Sequence, residues 1–303
     1  LTCALLMRAP LPVSHAPVSR FAPGGPQMAA APAKLPESPK QLAAQMSVAV
    51  QSALKGQCRL LEVRLPDGLC FGLFGKPPGK QMLGDPDDAL IPAVQEQADR
   101  ELAWLFVEMF QSYGDACCVV FPDSKAAKAA ERDWSSTPLT PRVVGSLFEL
   151  QGRRKAAAGF GGSRPKGSAG GAAPQVIVLV RPKASDVKAV ERPEGGVVVL
   201  LNAGKWHQKR GYEAVYALQD NPHPGWRGGL LFRSYPSSWS LGVAGKVGAP
   251  RIYGSQDGRP TLEEIDRGFE AVKSDKGLIS QVGGVLSAAG AAAALERRVA
   301  FGD

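Results

Sequence analysis

Three apolar runs along the chain each stop abruptly at a proline, a charge or an amide. Residues 117–121 run into Pro122-Asp123, residues 176–180 into Arg181-Pro182-Lys183, and residues 197–201 into Asn202-Ala203-Gly204. Runs this short, continuous and rich in valine predict strands buried on both faces, as in parallel sheets enclosed by helices. The first is followed by a helical pattern over residues 124–134 and the second by one over residues 185–190.

The flanking sequence supplies further elements. Ser38 as N-cap and Pro39 at the first helical position open a helix in which Leu42, Met46, Val50 and Leu54 recur at helical spacing, and Gly56 ends it. Residues 58–65 alternate as a strand, with Leu61, Val63 and Leu65 opposed to Arg59, Glu62 and Arg64. Residues 66–88 read as a Gly/Pro/Asp-rich loop. A long amphipathic helix is expected over residues 89–113, closed by Gly114, with Trp104, Phe106 and Phe110 on its core face. Residues 142–150 read as another strand. Beyond Tyr212 the pattern turns to antiparallel segments at 212–218, 229–235, 239–243 and 251–253, and Thr261 caps a final helix containing Leu262, Ile265 and Phe269. The expected fold is α/β: a Rossmann-like mixed sheet with flanking helices and an antiparallel C-terminal extension, forming one domain over residues 35–275.

Composition changes that picture at three segments. Residues 1–34 are rich in Ala, Pro and Ser, carry arginine and lack any acid, the composition of an organelle transit peptide. The chain opens on Leu rather than Met, so earlier residues are expected. A Gly/Ala-rich basic tract at 152–174 reads as a flexible insertion, and 276–303 as an Ala-rich tail. The net charge of +8 is carried by two acid-free stretches, +3 over residues 1–36 and +5 over 152–174, so the remaining body is neutral. A folded basic groove for nucleic acid is not expected. No run approaches the ~20 apolar residues of a membrane span; peripheral association stays open. Of five cysteines, Cys3 lies in the expected leader and none forms a CxxC pair; Cys117 and Cys118 open an apolar strand and read as buried structural thiols, which fits a reducing compartment.

Candidate chemistry is sparse. Gly242-Val243-Ala244-Gly245-Lys246-Val247 has the wrong gap for a phosphate loop and lacks the metal-binding hydroxyl. Neither HExxH nor GxSxG is present, and of three histidines His207 reads as a solvated loop residue. No catalytic residue, cofactor or metal ligand is assigned. Ligands of parallel sheets sit beyond the carboxyl ends of the strands, which makes Asp123, Arg181, Lys183 and Asn202 the ligand-binding candidates. Each has an ordinary alternative: Asp123 as a helix cap, Asn202 as a turn residue, Arg181 and Lys183 as solvated charges. Trp226, Arg227, Arg233, Tyr235 and Trp239 are docking-face candidates, since Trp, Tyr and Arg are over-represented where proteins meet. Stacking on single-stranded RNA is the competing use of the same residues.

Several of these segments, taken in order, resemble a known family. They are Leu35-Pro36-Glu37-Ser38-Pro39 with its helix, Val119-Val120-Phe121-Pro122-Asp123 with a helix ending at Trp134, and residues 197–202. Arg233-Ser234-Tyr235-Pro236-Ser237-Ser238-Trp239 and Pro260-Thr261 complete the set. The chain is similar to the plastid and cyanobacterial family, built on a domain of unknown function, that includes the chloroplast low-photosystem-II-accumulation factor 3. The resemblance implies a chloroplast protein of the stroma or the stromal face of the thylakoid, partnered by a photosystem subunit or assembly factors. It supplies no catalytic set. The expected function is therefore non-catalytic assistance to photosystem assembly through protein–protein contacts. A nucleotide- or phosphometabolite-binding domain or enzyme, and a plastid RNA-binding protein, stand as alternatives.

Overall fold

The three buried runs form the middle of a nine-stranded sheet. In a computed structural model the described residues are 34–36, 38–75, 92–150, 174–204, 207, 210–220, 229–243 and 251–274. In chain order they form α1 (Pro39–Lys55), β1 (Leu60–Arg64), α2 (Pro92–Met109), β2 (Cys117–Val120), α3 (Ser124–Trp134), β3 (Arg142–Val144) and β4 (Val176–Val180). Then come α4 (Ala184–Ala189), β5 (Val197–Leu201), β6 (Glu213–Asp220), β7 (Gly229–Ser234), β8 (Trp239–Val243), β9 (Arg251–Gln256) and α5 (Leu262–Ser274). Apart from Lys34 and Pro174, the expected leader, insertion and tail lie outside the described residues.

The strand order is β3-β2-β4-β5-β1-β6-β7-β8-β9. The first six strands run parallel, and β7, β8 and β9 continue antiparallel from β6. One face carries Leu61, Val63, Val119, Val178 and Val199 and packs against α1, α2 and α3. The other carries Cys118, Val120, Ile177, Leu179, Val198 and Leu200 and packs against Leu147, Leu150, Val187 of α4 and Tyr212. This double cover explains why β4 and β5 are buried at all five positions, where an alternating strand would expose every second side chain. The second face continues onto β6–β8 through Ala214, Ala217, Leu231 and Trp239, covered by Ile265 of α5.

Helix ends follow the sequence signals, with two differences. Ser38 Oγ accepts the Gln41 amide at 3.2 Å, and Thr261 and Glu264 form a reciprocal cap on α5. The long helix, expected to run to Tyr113, stops at Met109. The chain tightens into a 3-10 segment, Gln111–Ala116, in which Gly114 takes φ 51° and redirects the backbone into β2. The strand expected over 142–150 is only β3. Its continuation is broken because Ser146-Leu147-Phe148-Glu149 is itself a capping box: Ser146 Oγ accepts the Glu149 amide at 3.1 Å, and Glu149 accepts the Gly145 amide at 3.1 Å. A helical turn begins at Leu147. Gly145 is required there, since a Cβ would lie 2.6 Å from the Ser124 Cα. Among the described residues no helix is long and apolar enough to cross a membrane.

Candidate functional site

The carboxyl ends of β4, β5 and β1 are tied together by one polar network. Arg181, the first residue after β4, donates through Nε to Asp99 of α2 at 2.5 Å and through Nη2 to Asp67 at 2.6 Å. Asn202, the first residue after β5, accepts the Leu65 amide at 2.9 Å through Oδ1, and its side chain helps to lower the Asp99 carboxyl against the effect of burial. Arg181 and Asn202 both take positive φ, 43° and 49°. Their backbone amides still extend the ladder, donating to Leu201 and Val63 carbonyls at 2.8 and 2.9 Å. Burial raises the Asp99 carboxyl above its ordinary range, an effect the Arg181 guanidinium partly offsets. Burial alone would lower Arg181, but the charges of Asp99 and Asp67 outweigh it and raise the guanidinium instead. Arg181 is thus an ion-paired clamp, not the solvated charge that was its ordinary alternative.

The other two strand-end candidates lie apart from this network. Asp123 ends its strand as the N-cap of α3, accepting the Ala126 amide at 2.8 Å, the capping role anticipated for it. Lys183 precedes α4, and its own amide is held by the Asp186 carboxylate at 2.9 Å. The connections explain the separation. From β2 the chain leaves towards β3 through α3 on one face; from β4 it leaves towards β5 through α4 on the other. Adjacent strands whose connections diverge leave a crevice at their carboxyl ends, the topological switch point of open α/β sheets. A cleft of about 140 Å³ lies there, lined by residues that include Phe121, Pro122, Ser146, Leu147, Leu179 and Lys183. At β5 and β1 the connections instead pass across one another, and the Arg181–Asp99–Asn202 network occupies that position.

Of the docking-face candidates, the three among the described residues, Arg233, Tyr235 and Trp239, are buried or half-buried. Trp239 is fully buried between β7 and α5, so its ring cannot meet a partner. Arg233 pairs with Glu213 at 2.5 Å and lies 5.5 Å from the Trp239 ring centroid, a cation–π contact within the sheet. Tyr235 is half-buried against the main core. The pattern of aromatics beside arginines arises here from packing on the second face. Trp226 and Arg227 lie outside the described residues. Among the described residues the large exposed apolar side chains are Val48, Phe148 and Leu262 on three separate helical segments, Leu73 in the loop after β1 and Ile252 on β9. Isolated exposure of this kind is ordinary.

Besides Asp99, two further buried carboxylates escaped the sequence reading. Glu62, expected on a polar face of β1, is fully buried because β1 is a central strand with both faces covered. It accepts the His207 amide at 2.9 Å and pairs with Arg64 at 3.3 Å, and burial raises its carboxyl despite both. His207 is correspondingly buried, with its ring edge-on to Tyr212, and burial lowers its pKa; it is not a solvated loop residue. Glu101 of α2 accepts the amides of Phe71, Gly72 and Phe74 and the side chain of Gln97, pinning the loop after β1 to the helix. The signal for Glu101 was available: Gln97 and Glu101 share a helical face with Val94 and Leu102. The Cys117 thiol is pushed up to about 12 by burial and by its neighbour Cys118, which leaves it inert. Among the described residues no group of His, Cys, Asp or Glu is placed to hold a metal ion.

Chemically, the carboxyl edge therefore divides into an ion-pair network and an open cleft of mixed apolar and polar lining, with one cation at its rim. A family model described as a domain of unknown function (DUF1995) matches residues 36–267, from the start of α1 into α5. No curated protein and no solved structure matches the chain.

Proposed function

Because the chain belongs to the DUF1995 family of domains of unknown function, we propose that it is a non-catalytic auxiliary factor of the chloroplast. In this reading it assists photosystem assembly, that of photosystem II first, through protein–protein contacts at the stromal face of the thylakoid. The finer likeness to the low-photosystem-II-accumulation factor rests on the ordered segments named above, from Leu35-Pro36-Glu37 to Pro260-Thr261. The observation that carries the non-catalytic reading is the commitment of three of the four strand-edge candidates, Arg181, Asn202 and Asp123, to structural partners. A general acid, base or anion clamp needs a free functional group facing substrate. Arg181 instead neutralises Asp99 and Asp67, Asn202 holds the Leu65 amide, and Asp123 caps α3. Such an edge makes a rigid frame for presenting loops and helices to a partner.

Disruption of the gene, followed by pulse labelling of thylakoid complexes, tests the proposal. Synthesis of photosystem II core subunits should continue while their incorporation into assembled complexes falls. Normal assembly of every photosystem in the disrupted line would sink it.

A further inference from the structure

We infer that the cleft between the carboxyl ends of β2 and β4 binds a short-chain organic monoanion. Its carboxylate is held by Lys183 and Ser146, and its hydrocarbon body lies on Phe121, Leu147 and Leu179. The site stands whether or not the chain acts in photosystem assembly.

The cleft's place comes from topology. β2 and β4 are neighbours whose connections leave towards opposite edges and opposite faces, so the chain itself opens the crevice where ligands of such sheets sit. Its size limits the occupant. A cleft of about 140 Å³ falls well below the ~300–1,000 Å³ usual for drug-sized ligands and cofactors, so a nucleotide does not fit inside it. Its walls set the polarity. Phe121, Leu147, Leu179 and Pro182 are apolar and buried, Pro122 is apolar and exposed, and Ser146, Lys183 and Asp186 are polar, which suits a ligand with a short hydrocarbon body and one polar head.

The charge follows from which polar groups are already engaged. The Ala126 amide of α3 is capped by Asp123, and the Lys183 amide by Asp186. Ser146 Oγ accepts from the Glu149 amide, leaving its proton to donate. Lys183 stands exposed on the rim, and among the described residues no carboxylate pairs with its ammonium. One cation, with the Asp186 carboxylate in the same wall, matches a single negative charge better than the double charge of a phosphate.

The probe is isovalerate, titrated into the full chain and followed by amide NMR shifts of Ser146, Leu147 and Lys183. Saturable binding with a Kd on the order of 1 mM is expected for a ligand of so few atoms. Lys183→Met should weaken it about tenfold or more, while Lys183→Arg should hold it within about threefold, since both cations satisfy a lone carboxylate. Unchanged melting temperatures in both variants separate a lost contact from a lost fold. Absence of saturable shifts at these residues, or equal binding by Lys183→Met, overturns the inference. So does equal binding of the neutral isoamyl alcohol, or tighter binding of inorganic phosphate.

Discussion

Arg181 and Asn202 each do two jobs at one position. Each lets the backbone leave a parallel strand through a positive φ; Asn202 spends its side chain on the Leu65 amide just beyond β1, and Arg181 its own on Asp99 of α2 and Asp67. Positive φ is disfavoured for arginine and better tolerated by asparagine, so the ion pairs at Arg181 help to hold a turn the residue would not choose alone. Asp99 is buried, so removing its cation leaves a carboxylate stranded away from water. A fully buried broken pair costs about 3–5 kcal/mol. Because the Arg181 side chain is 29% exposed, we expect Arg181→Met to cost less, about 2–3 kcal/mol in urea unfolding. Asp99→Asn in the same chain should restore part of that loss, since it removes the stranded charge. If the double variant were no more stable than Arg181→Met alone, Asp99 would not be the group that Arg181 serves.

At the scale of elements, the helices and strands were legible where local chemistry and tertiary position agree. Residues 176–180 and 197–201 read as doubly buried strands because nothing but apolar side chains stands there, and β4 and β5 match them. Legibility failed where two local signals competed: over 142–150, the Ser146–Glu149 cap ended a run of apolar residues that hydropathy alone would have continued. It failed more deeply at the site. The edge positions Arg181 and Asn202 could be named, but their partners could not, because Asp99 and Asp67 lie 82 and 114 residues from Arg181. Neither periodicity nor spacing carries such pairings. Asp123 is the case where the local reading sufficed, and it yields a direct check. Asp123→Ala should destabilise the chain by about 1 kcal/mol, and Asp123→Asn by much less, because either Asp or Asn accepts the Ala126 amide. Equal unfolding midpoints for Asp123→Ala and the parent chain would remove the cap as the reason for this residue.

Across the whole molecule the sheet joins two kinds of architecture at β6, which pairs in parallel with β1 and antiparallel with β7. On the parallel side, β2, β4 and β5 are buried at every position and covered on both faces. Their amides open only when the covering helices leave, so their exchange with solvent should report the global unfolding free energy. At the far end, β9 pairs only with β8, exposes Ile252, and is linked to α5, whose described buried contact with the sheet is Ile265. That end has far less apolar area to lose on opening, so β9 and α5 should detach together before the rest of the sheet. Hydrogen exchange read by mass spectrometry should therefore show β9 amides exchanging at least about a hundredfold faster than those of β4 and β5, a gap of roughly 3 kcal/mol. Ile265→Ala should widen the gap by speeding β9 while leaving β4 unchanged, because that side chain belongs to the cluster over β6–β8 and not to the one over β4. Uniform protection across all nine strands would mean that the antiparallel extension unfolds only with the parallel core, and that the sheet behaves as one cooperative unit.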